Sequence, residues 1–576
     1  MSDRPAGGWA SSIGPVLDPL RRLLPTLHED DRMIAVCKPP GIDSGVLPGG
    51  GPGAAELLAR QRGLADDALV PANRLSRYDS GVLVLVRDDA LLRHVRAGLR
   101  RGRIQQVYEL VAKGSLRGQR LELRPAGSAP AGTGPKRNRR PAGKPHPEAR
   151  EPTGEGIEER PTIADLRVLH RGGDRLHIRC DTNARSTHEL RAMLRAAGLH
   201  VFGDTMGGRP GRDQSVTQSC THLSRFAFHH PALGRKLTIS APPAIGFQET
   251  AEGDDPLQRR LVAALAARLE CLQDESTNAV RLLNGAADGV PGLVVERLDH
   301  VLIVQVLEDH CTLSAAEVRR VSGFFRDWFG ASAVYRKRFP KDRASPDPRI
   351  EAELSDPQPM LGTPAPAEIE IRERGVTFVV RPYDGYSTGL FLDHRDNRAR
   401  VRDLADGRRV LNLFAYTCGF SVAAALGGAA RTVSVDLSRT HLERGKEHFR
   451  RNGLALDEHT FVASEAFDYF KRAQRQGRTF DFVILDPPTF ARLKRPRRTF
   501  NVQRDLPALV AEASRLLEGG GILMVSTNCR QMTRSALQAA VRAGLERRAK
   551  VLAEPPLPPD FASDPDFAKT VFLRVT

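Results

Sequence analysis

The chain is poor in the features that mark secreted, metal-bound or membrane proteins. Its seven cysteines are scattered over 576 residues, and no two form a Cys-x-x-Cys pair. That excludes a zinc ribbon or a disulfide framework, fits a reducing cytoplasm, and leaves no metal site to expect. The N-terminus carries Asp3 early and lacks the continuous apolar segment of a secretory signal. No stretch approaches the roughly 20 apolar residues of a membrane span, so the expectation is a soluble cytoplasmic protein with no membrane partner. No tandem repeat of solenoid period occurs. Carboxylates are outnumbered: 69 Asp and Glu face 86 Lys and Arg, for a formal charge of +17 and a pI near 10.0. Such an excess favours a polyanionic partner. The hydrophobic content of 40% is ample for packed cores, and the length leaves room for two to four domains.

Glycine is scarce where a dinucleotide would need it. In Val410–Asp436 an apolar run, Val410–Tyr416, meets the turn Thr417-Cys418-Gly419 and a small-residue helix from Phe420. A second apolar run, Thr432–Val435, then ends on Asp436. This is strand, glycine turn, helix, strand, acid. Gly419 would let backbone approach a ligand, and Asp436 would take both hydroxyls of a ribose. A dinucleotide site prefers three close glycines to seat its pyrophosphate. One glycine without a phosphate cradle suits S-adenosylmethionine (SAM) better. An ordinary parallel-sheet turn is the alternative.

The pattern continues downstream. Arg439–Arg451 reads as an amphipathic helix stopped by Asn452-Gly453. Phe461–Glu465 reads as a short strand ending on an acid, and Phe482–Leu485 as a fully apolar strand with Asp486 at its carboxyl end. Gln503–Leu517 reads as a helix, Gly519–Gly521 as a break, and Ile522–Ser526 as another strand. Strands alternating with helices imply a parallel, doubly wound sheet whose ligand lies beyond the strands' carboxyl ends. Gly419, Asp436, Glu465, Asp486 and Asn528 would share that edge.

From about Leu282 onward the chain resembles bacterial SAM-dependent 23S ribosomal RNA methyltransferases of the large-subunit type. The words that carry the likeness are Asn284–Leu293, Gly389–Arg395, Asn412–Thr417 and Asp486-Pro487-Pro488-Thr489-Phe490. Val502–Asp505 and Ser526–Asn528 look closer to the guanine-N7 branch than to the cytosine-C5 branch. The resemblance implies a class I, Rossmann-like α/β methyltransferase fold with SAM as cofactor and ribosomal RNA as partner. It implies cofactor contacts from Asp393, Arg395, Asn412, Phe414, Tyr416, Thr417, Gly419, Asp436, Leu437, Glu465 and Asp486. Glu465 would face the adenine edge, or merely charge a helix N-terminus; Asp393 and Arg395 have a surface ion pair as their alternative. For catalysis it points to Asp486, Pro487, Pro488, Phe490 and Asn528. Two prolines stiffen the loop, so that Asp486 can orient an extruded base and Phe490 can stack on it or pack in the core.

The accepting atom follows from chemistry. Guanine N7 carries an in-plane lone pair and needs only alignment with the methyl. Cytosine C5 requires a thiolate to attack C6 first, and Cys529 is the only cysteine near the expected edge. Alignment through Met532-Thr533 places Asn528, not Cys529, where the cytosine branch keeps its cysteine. Guanine N7 is favoured and cytosine C5 stays open. A non-catalytic RNA-binding assembly factor is a further reading.

Residues from about Leu27 to Phe247 resemble a second family, the large-subunit pseudouridine synthases, which implies a mixed, mainly antiparallel α+β domain. Ile34–Gly41, Ser80–Val86, Gln105–Tyr108, His200–Asp204 and His229-His230-Pro231 carry that likeness. The family's catalytic loop reads His-Arg-Leu-Asp; this chain has Asn73-Arg74-Leu75-Ser76. Serine is no carboxylate, Asp79 stands three residues on, and the family's later Thr-Gly-Arg segment is altered around Ala184–His188. The expectation is an RNA-binding domain without isomerase activity; a bifunctional chain is the alternative. The organisation expected is therefore an extension (1–26), a pseudouridine-synthase-like domain (27–250) with a disordered basic insertion (115–161), an α+β middle domain (257–380) and the methyltransferase domain (381–576). Leu257–Leu272 should be a helix, Val301–Val306 and Ala333–Arg338 strands, and Ser345–Ala367 a proline-rich seam. The run Arg492–Arg498, just after the Asp-Pro-Pro loop, could neutralise phosphates beside the target base.

Overall fold

The apolar run around Phe482 sits at the heart of a seven-stranded sheet, because a strand covered on both faces has no polar side to offer water. The computed structural model describes residues 22–46, 51–116, 118–123, 162–204, 219–252, 257–340, 347–493 and 498–576. It divides the chain into two units, one ending at Ala266 and the other running from Ala267 to Thr576. No helix among the described residues is long and apolar enough to cross a membrane.

The first unit is built on an eleven-stranded sheet. Its strands include β1 (Thr26–Glu29), β2 (Met33–Lys38), β3 (Ser80–Val86), β4 (Gln105–Lys113), β5 (Arg120–Leu123), β6 (Ala164–Gly172), β7 (Arg175–Thr182) and β8 (Thr221–His230), with helices α1 (Asp89–Arg100) and α2 (Thr187–Ala196). The main path runs β1-β2-β3-β8-β4-β7-β6-β5. Only the β3–β8 pairing is parallel along it, so the sheet is mixed and mainly antiparallel. The segment from Ser115 was expected to be disordered. Its start is instead ordered: β5 pairs with β6 through Arg120↔Arg167 to Leu123↔Ala164, with Leu123 and Leu166 turned into the core. The remainder of that insertion, with its Lys136–Arg140 run, lies outside the described residues.

The second unit holds a five-stranded sheet that includes β9 (Ala279–Asn284), β10 (Leu293–Leu298), β11 (Val301–Leu307) and β12 (Ala333–Phe339), followed by a hairpin of β13 (Ile369–Glu373) and β14 (Val376–Val380). After helix α3 (Arg395–Leu404) comes the seven-stranded sheet. Its elements are β15 (Arg409–Leu413), α4 (Gly419–Leu426), β16 (Arg431–Asp436), α5 (Arg439–Arg451), β17 (His459–Ala463), α6 (Ala466–Arg475) and β18 (Phe480–Leu485). Next come the hairpin β19 (Phe490–Leu493) and β20 (Arg498–Asn501), then α7 (Val502–Arg515), β21 (Leu517–Thr527), α8 (Arg534–Gly544), β22 (Ala549–Ala553) and β23 (Lys569–Val575). The order is β17-β16-β15-β18-β21-β23-β22. The first five strands are parallel, β23 runs against them, and β22, antiparallel to β23, runs with them again. One apolar cluster joins Val301 and Ala333 of the five-stranded sheet, Phe378 of the hairpin, Val422 of α4 and Phe449 of α5.

Three local expectations are corrected. Gly519–Gly521 is no break: β21 runs through it from Leu517 to Thr527. The glycines absorb a bulge in which Phe480 faces Leu517 while Phe482 faces Ile522, and Gly520 has φ +81°, a conformation that glycine adopts without steric cost. Leu257–Leu272 is not one helix. It splits into Leu257–Ala266 and Leu269–Gln273, with Arg268 buried and paired with Asp288 at 2.6 Å. Within the proline-rich seam, Pro348–Leu354 is a helix with Asp347 as its cap and Pro348 at its first position, where a missing N–H costs nothing.

A buried ion pair ties distant parts of the second unit together. Asp560 accepts from Arg395 Nη1 at 2.9 Å and Nη2 at 3.1 Å, and from the Arg281 backbone N–H at 2.9 Å. Both side chains are almost fully buried. Removing one partner leaves an uncompensated buried charge. Asp560→Ala is expected to lower the unfolding free energy of this unit by about 3–5 kcal/mol in urea titration; a loss below about 1 kcal/mol would show that the pair is dispensable.

Candidate active site

Five strand ends supply the site. β15 leads through residues 414–418 into α4, which Gly419 opens; β16 ends on Asp436; Glu465 follows β17; Asp486 follows β18; Asn528 follows β21. Since these strands are parallel, the five residues share the carboxyl edge, and β15, flanked by β16 and β18, is the point where the strand order reverses.

The loop after β15 is held in an unusual backbone. Phe414, Tyr416 and Cys418 all have positive φ, at 58°, 49° and 62°, a region that bulky residues rarely occupy without support from their surroundings. That support is visible. The Asp436 carboxylate accepts the Tyr416 N–H through Oδ2 and the Ser438 N–H through Oδ1, both at 2.8 Å. The Ala415 N–H donates to the Val435 carbonyl at 3.0 Å, and the Thr417 hydroxyl to the Gly389 carbonyl at 2.6 Å. Tyr416 lies edge-on to His441, with centroids 4.6 Å apart, and beside Phe391. Burial pushes the Asp436 carboxyl up, but hydrogen bonds from His441, Ser438 and Tyr416 outweigh it and hold the group below its ordinary range. Oδ1 takes the Ser438 N–H and faces His441 Nδ1 at 3.7 Å, while Oδ2 takes the Tyr416 N–H and keeps acceptor capacity. Leu437 beside it is 59% exposed, an apolar side chain on the surface.

Gly419 is closely packed. A Cβ there would come within 3.3 Å of Leu390 and 3.4 Å of the Arg398 side chain, so the glycine serves close packing beneath the loop. Asn412 is also buried, its amide donating to Ser421 at 3.0 Å, one strand residue below the tip. Glu465 caps α6 by accepting the Asp468 N–H at 2.9 Å; its other oxygen has no partner among the described residues. Arg395, expected at the cofactor, turns its guanidinium to Asp560 and the Ala279 carbonyl, so it is neither a surface pair nor directed at the strand edge.

A histidine that the sequence reading did not single out connects these parts. His394 is buried, with Nε2 at 3.1 Å from Asp486 and 3.9 Å from Asp393. Its Nδ1 lies 3.0 Å from the Asn397 amide, which donates to Thr570. Burial disfavours the imidazolium, but the Asp486 and Asp393 carboxylates outweigh it and push the pKa up to about 8. His394 stands between Asp393 and Arg395, both of which the sequence did single out, yet only the fold brings it against Asp486, 92 positions away.

The Asp-Pro-Pro loop leads into the β19–β20 hairpin. The Val502 N–H closes it on the Thr489 carbonyl at 3.1 Å, and Asp505 accepts the Asn501 N–H at 2.8 Å. Phe490, at its base, is 50% exposed, so it is a surface ring and not core packing. The Thr489 hydroxyl donates to Asn528 Oδ1 at 2.9 Å, which leaves the amide nitrogen of Asn528 as the donor. Cys529 is 3% exposed and packs in the core beneath β21. Residues 494–497, the centre of the basic run, lie outside the described residues.

In the first unit, Asp79 is fully buried, 2.5 Å from Arg191, and its backbone carbonyl accepts from Lys38 Nζ. The fold engages this carboxylate in an internal ion pair. Tyr108 is buried and donates to Gln106 Oε1 at 3.0 Å.

Residues 354–569 match the family model for S-adenosylmethionine-dependent methyltransferases. YwbD of Bacillus subtilis, named as a candidate ribosomal RNA large subunit methyltransferase, is 33% identical over 322 residues, spanning 55% of this chain and 78% of that protein. A ribosomal RNA large subunit methyltransferase of Deinococcus radiodurans is 32% identical over 335 residues, spanning 56% and 78%. The crystal structure of a candidate methyltransferase complexed with S-adenosylhomocysteine aligns with a TM-score of 0.50 and 28% identity, covering 62% of this chain and 89% of that one.

The His394 pKa lies above the ordinary histidine value, so its pairing with Asp486 is intact below about pH 8 and is lost as pH rises through that value. Single-turnover methyl transfer should fall on the alkaline side with an apparent pKa of about 8, and His394→Gln should remove that limb while lowering the plateau. An unchanged profile in the variant would separate His394 from Asp486 function.

Proposed function

The chain belongs to the S-adenosylmethionine-dependent methyltransferase family, and from that premise we propose that it methylates large-subunit ribosomal RNA at N7 of a guanine. The substrate class comes from the relatives in Bacillus and Deinococcus, and the basic excess of the chain agrees with it. One observation carries the choice of atom: Cys529 is buried in the core while its neighbour Asn528 is exposed and fixed by Thr489 of the Asp-Pro-Pro loop. A C5 mechanism needs an accessible thiolate; an N7 mechanism needs none.

In this reading Asp436 holds the ribose hydroxyls of SAM, Leu437 flanks the adenine, and Glu465 faces its edge. Bound SAM supplies an electrophilic sulfonium methyl. Asp486, 3.1 Å from His394 Nε2, accepts from the N1 and N2 hydrogens of the guanine. Asn528 donates to its O6, and Phe490 stacks on the ring. Fixing those edges turns N7 toward the methyl, so transfer is a direct displacement that relies on alignment. The first unit we read as a pseudouridine-synthase-like RNA-binding module without isomerase activity, since Ser76 stands at the family's acid and Asp79 is locked against Arg191. The seven cysteines are all unpaired, which agrees with a cytoplasmic site of action.

The test is to incubate the protein with methyl-labelled SAM and unmodified 23S rRNA, then to identify labelled nucleosides by mass. The expected product is 7-methylguanosine, with Cys529→Ser retaining the wild-type rate. Label in 5-methylcytidine that disappears in Cys529→Ser would overturn the guanine reading. Bound SAM with no label on free or assembling rRNA would point to a non-catalytic assembly factor.

A further inference from the structure

Asn528 and Cys529 are chain neighbours that face opposite ways: Asn528 is exposed at the strand edge and Cys529 is buried beneath β21. A slip of one residue in the turn that leaves β21 would exchange them. The turn's own bonds are local. The Cys529 N–H donates to the Thr527 hydroxyl at 3.2 Å, and the Met532 N–H to the Cys529 carbonyl at 3.1 Å. Polar contacts also reach the turn from outside. The Thr489 hydroxyl holds Asn528 Oδ1. Arg530 pairs with Asp564 at 2.5 Å, but Arg530 is 60% exposed, so solvent weakens that pair. Lys569, the first residue of β23, donates from Nζ to the Cys529 carbonyl at 3.2 Å and to the Asp566 carbonyl at 2.9 Å.

That ammonium is an expensive group to place there. Lys569 is 2% exposed, and burial pushes its pKa below the ordinary lysine value. An Asp566 carboxylate oxygen lies 4.0 Å away, on a side chain that is itself 74% exposed, too far and too solvated to offset the burial. A methionine would fill the same space without desolvating a charge, so what the lysine adds is its N–H donors. The two carbonyls it joins belong to different segments. Cys529 lies in the turn after β21, and Asp566 in the loop between β22 and β23. Asp560 of that loop is already clamped to the start of α3 by Arg395. Lys569 therefore ties the turn to a segment that is fixed.

We infer that Lys569 is a positioning residue for methyl transfer: through the Cys529 carbonyl it holds the turn in the register that presents Asn528 to the base and keeps Cys529 in the core. The inference rests on the proposed role of Asn528 at guanine O6. Both Lys569 bonds run to backbone and its side chain is buried, so it acts through Asn528 and not on the base.

The experiment is a double-mutant cycle on the full chain, with wild type, Lys569→Met, Asn528→Ala and the double variant. Each is read as single-turnover methyl transfer to unmodified 23S rRNA and, separately, as SAM affinity by calorimetry. Lys569→Met should slow transfer by roughly 10- to 100-fold, the effect of a displaced contact group, with SAM affinity within about twofold of wild type. Asn528→Ala should slow transfer by at least about tenfold. In the Asn528→Ala background, Lys569→Met should slow it by less than about twofold more, because the group it positions is gone. An equal slowing by Lys569→Met in both backgrounds, or a wild-type rate in Lys569→Met, would overturn the inference and leave the role of Asn528 standing. A wild-type rate in Asn528→Ala would overturn that role and the inference with it. If the methionine variant does not bind SAM, Lys569→Gln, whose amide donor is one atom shorter in reach, enters the same cycle with the same expected pattern.

Discussion

The Asp436 carboxylate is the constraint on which the second unit's site depends. It sits at the end of β16, receives backbone N–H groups from the β15 loop and from the start of α5, and thereby fixes two adjoining connections with one side chain. Three residues of the β15 loop occupy positive φ, a conformation that costs on the order of 1–3 kcal/mol per residue. The loop keeps it because Asp436, the Gly389 carbonyl and the packing of Tyr416 on His441 over-determine it.

A second acid is controlled in another way. Asp486 meets the buried His394 ring, and the chain His394–Asn397–Thr570–Ser526 carries that contact back to β21 and β23. Both acids stand at ends of the parallel sheet, so the distance between them is set by strand spacing and not by loop length. Beneath them, Arg395 and Asp560 clamp the start of α3 to the loop before β23, which explains why Arg395 follows the site words in sequence without reaching the strand edge.

Much of this was legible from local pattern. The apolar runs ending on Asp436 and Asp486 marked strand ends, since a parallel strand buried on both faces can turn polar only where it leaves the sheet. Arg439–Arg451 was bounded correctly because its apolar spacing and the Asn452-Gly453 stop are both local. What escaped depends on long-range partners. His394 gains its role from Asp486, and Arg395 from Asp560, 165 positions away. Glycine misled once: Gly519–Gly521 bulges within a strand that continues. The strand Arg120–Leu123 was hidden because its pairing partner lies beyond a long polar insertion.

The most direct measurement is a calorimetric titration of SAM into the wild-type chain and Asp436→Ala, with circular dichroism showing both to be folded. Loss of a hydrogen bond to a charged group should weaken SAM by about 1.5–3 kcal/mol, a factor of roughly 12 to 150. Affinity within about threefold of wild type would contradict the account, because it would place the ribose away from the carboxylate on which the loop, the strand edge and the proposed transfer geometry all rest.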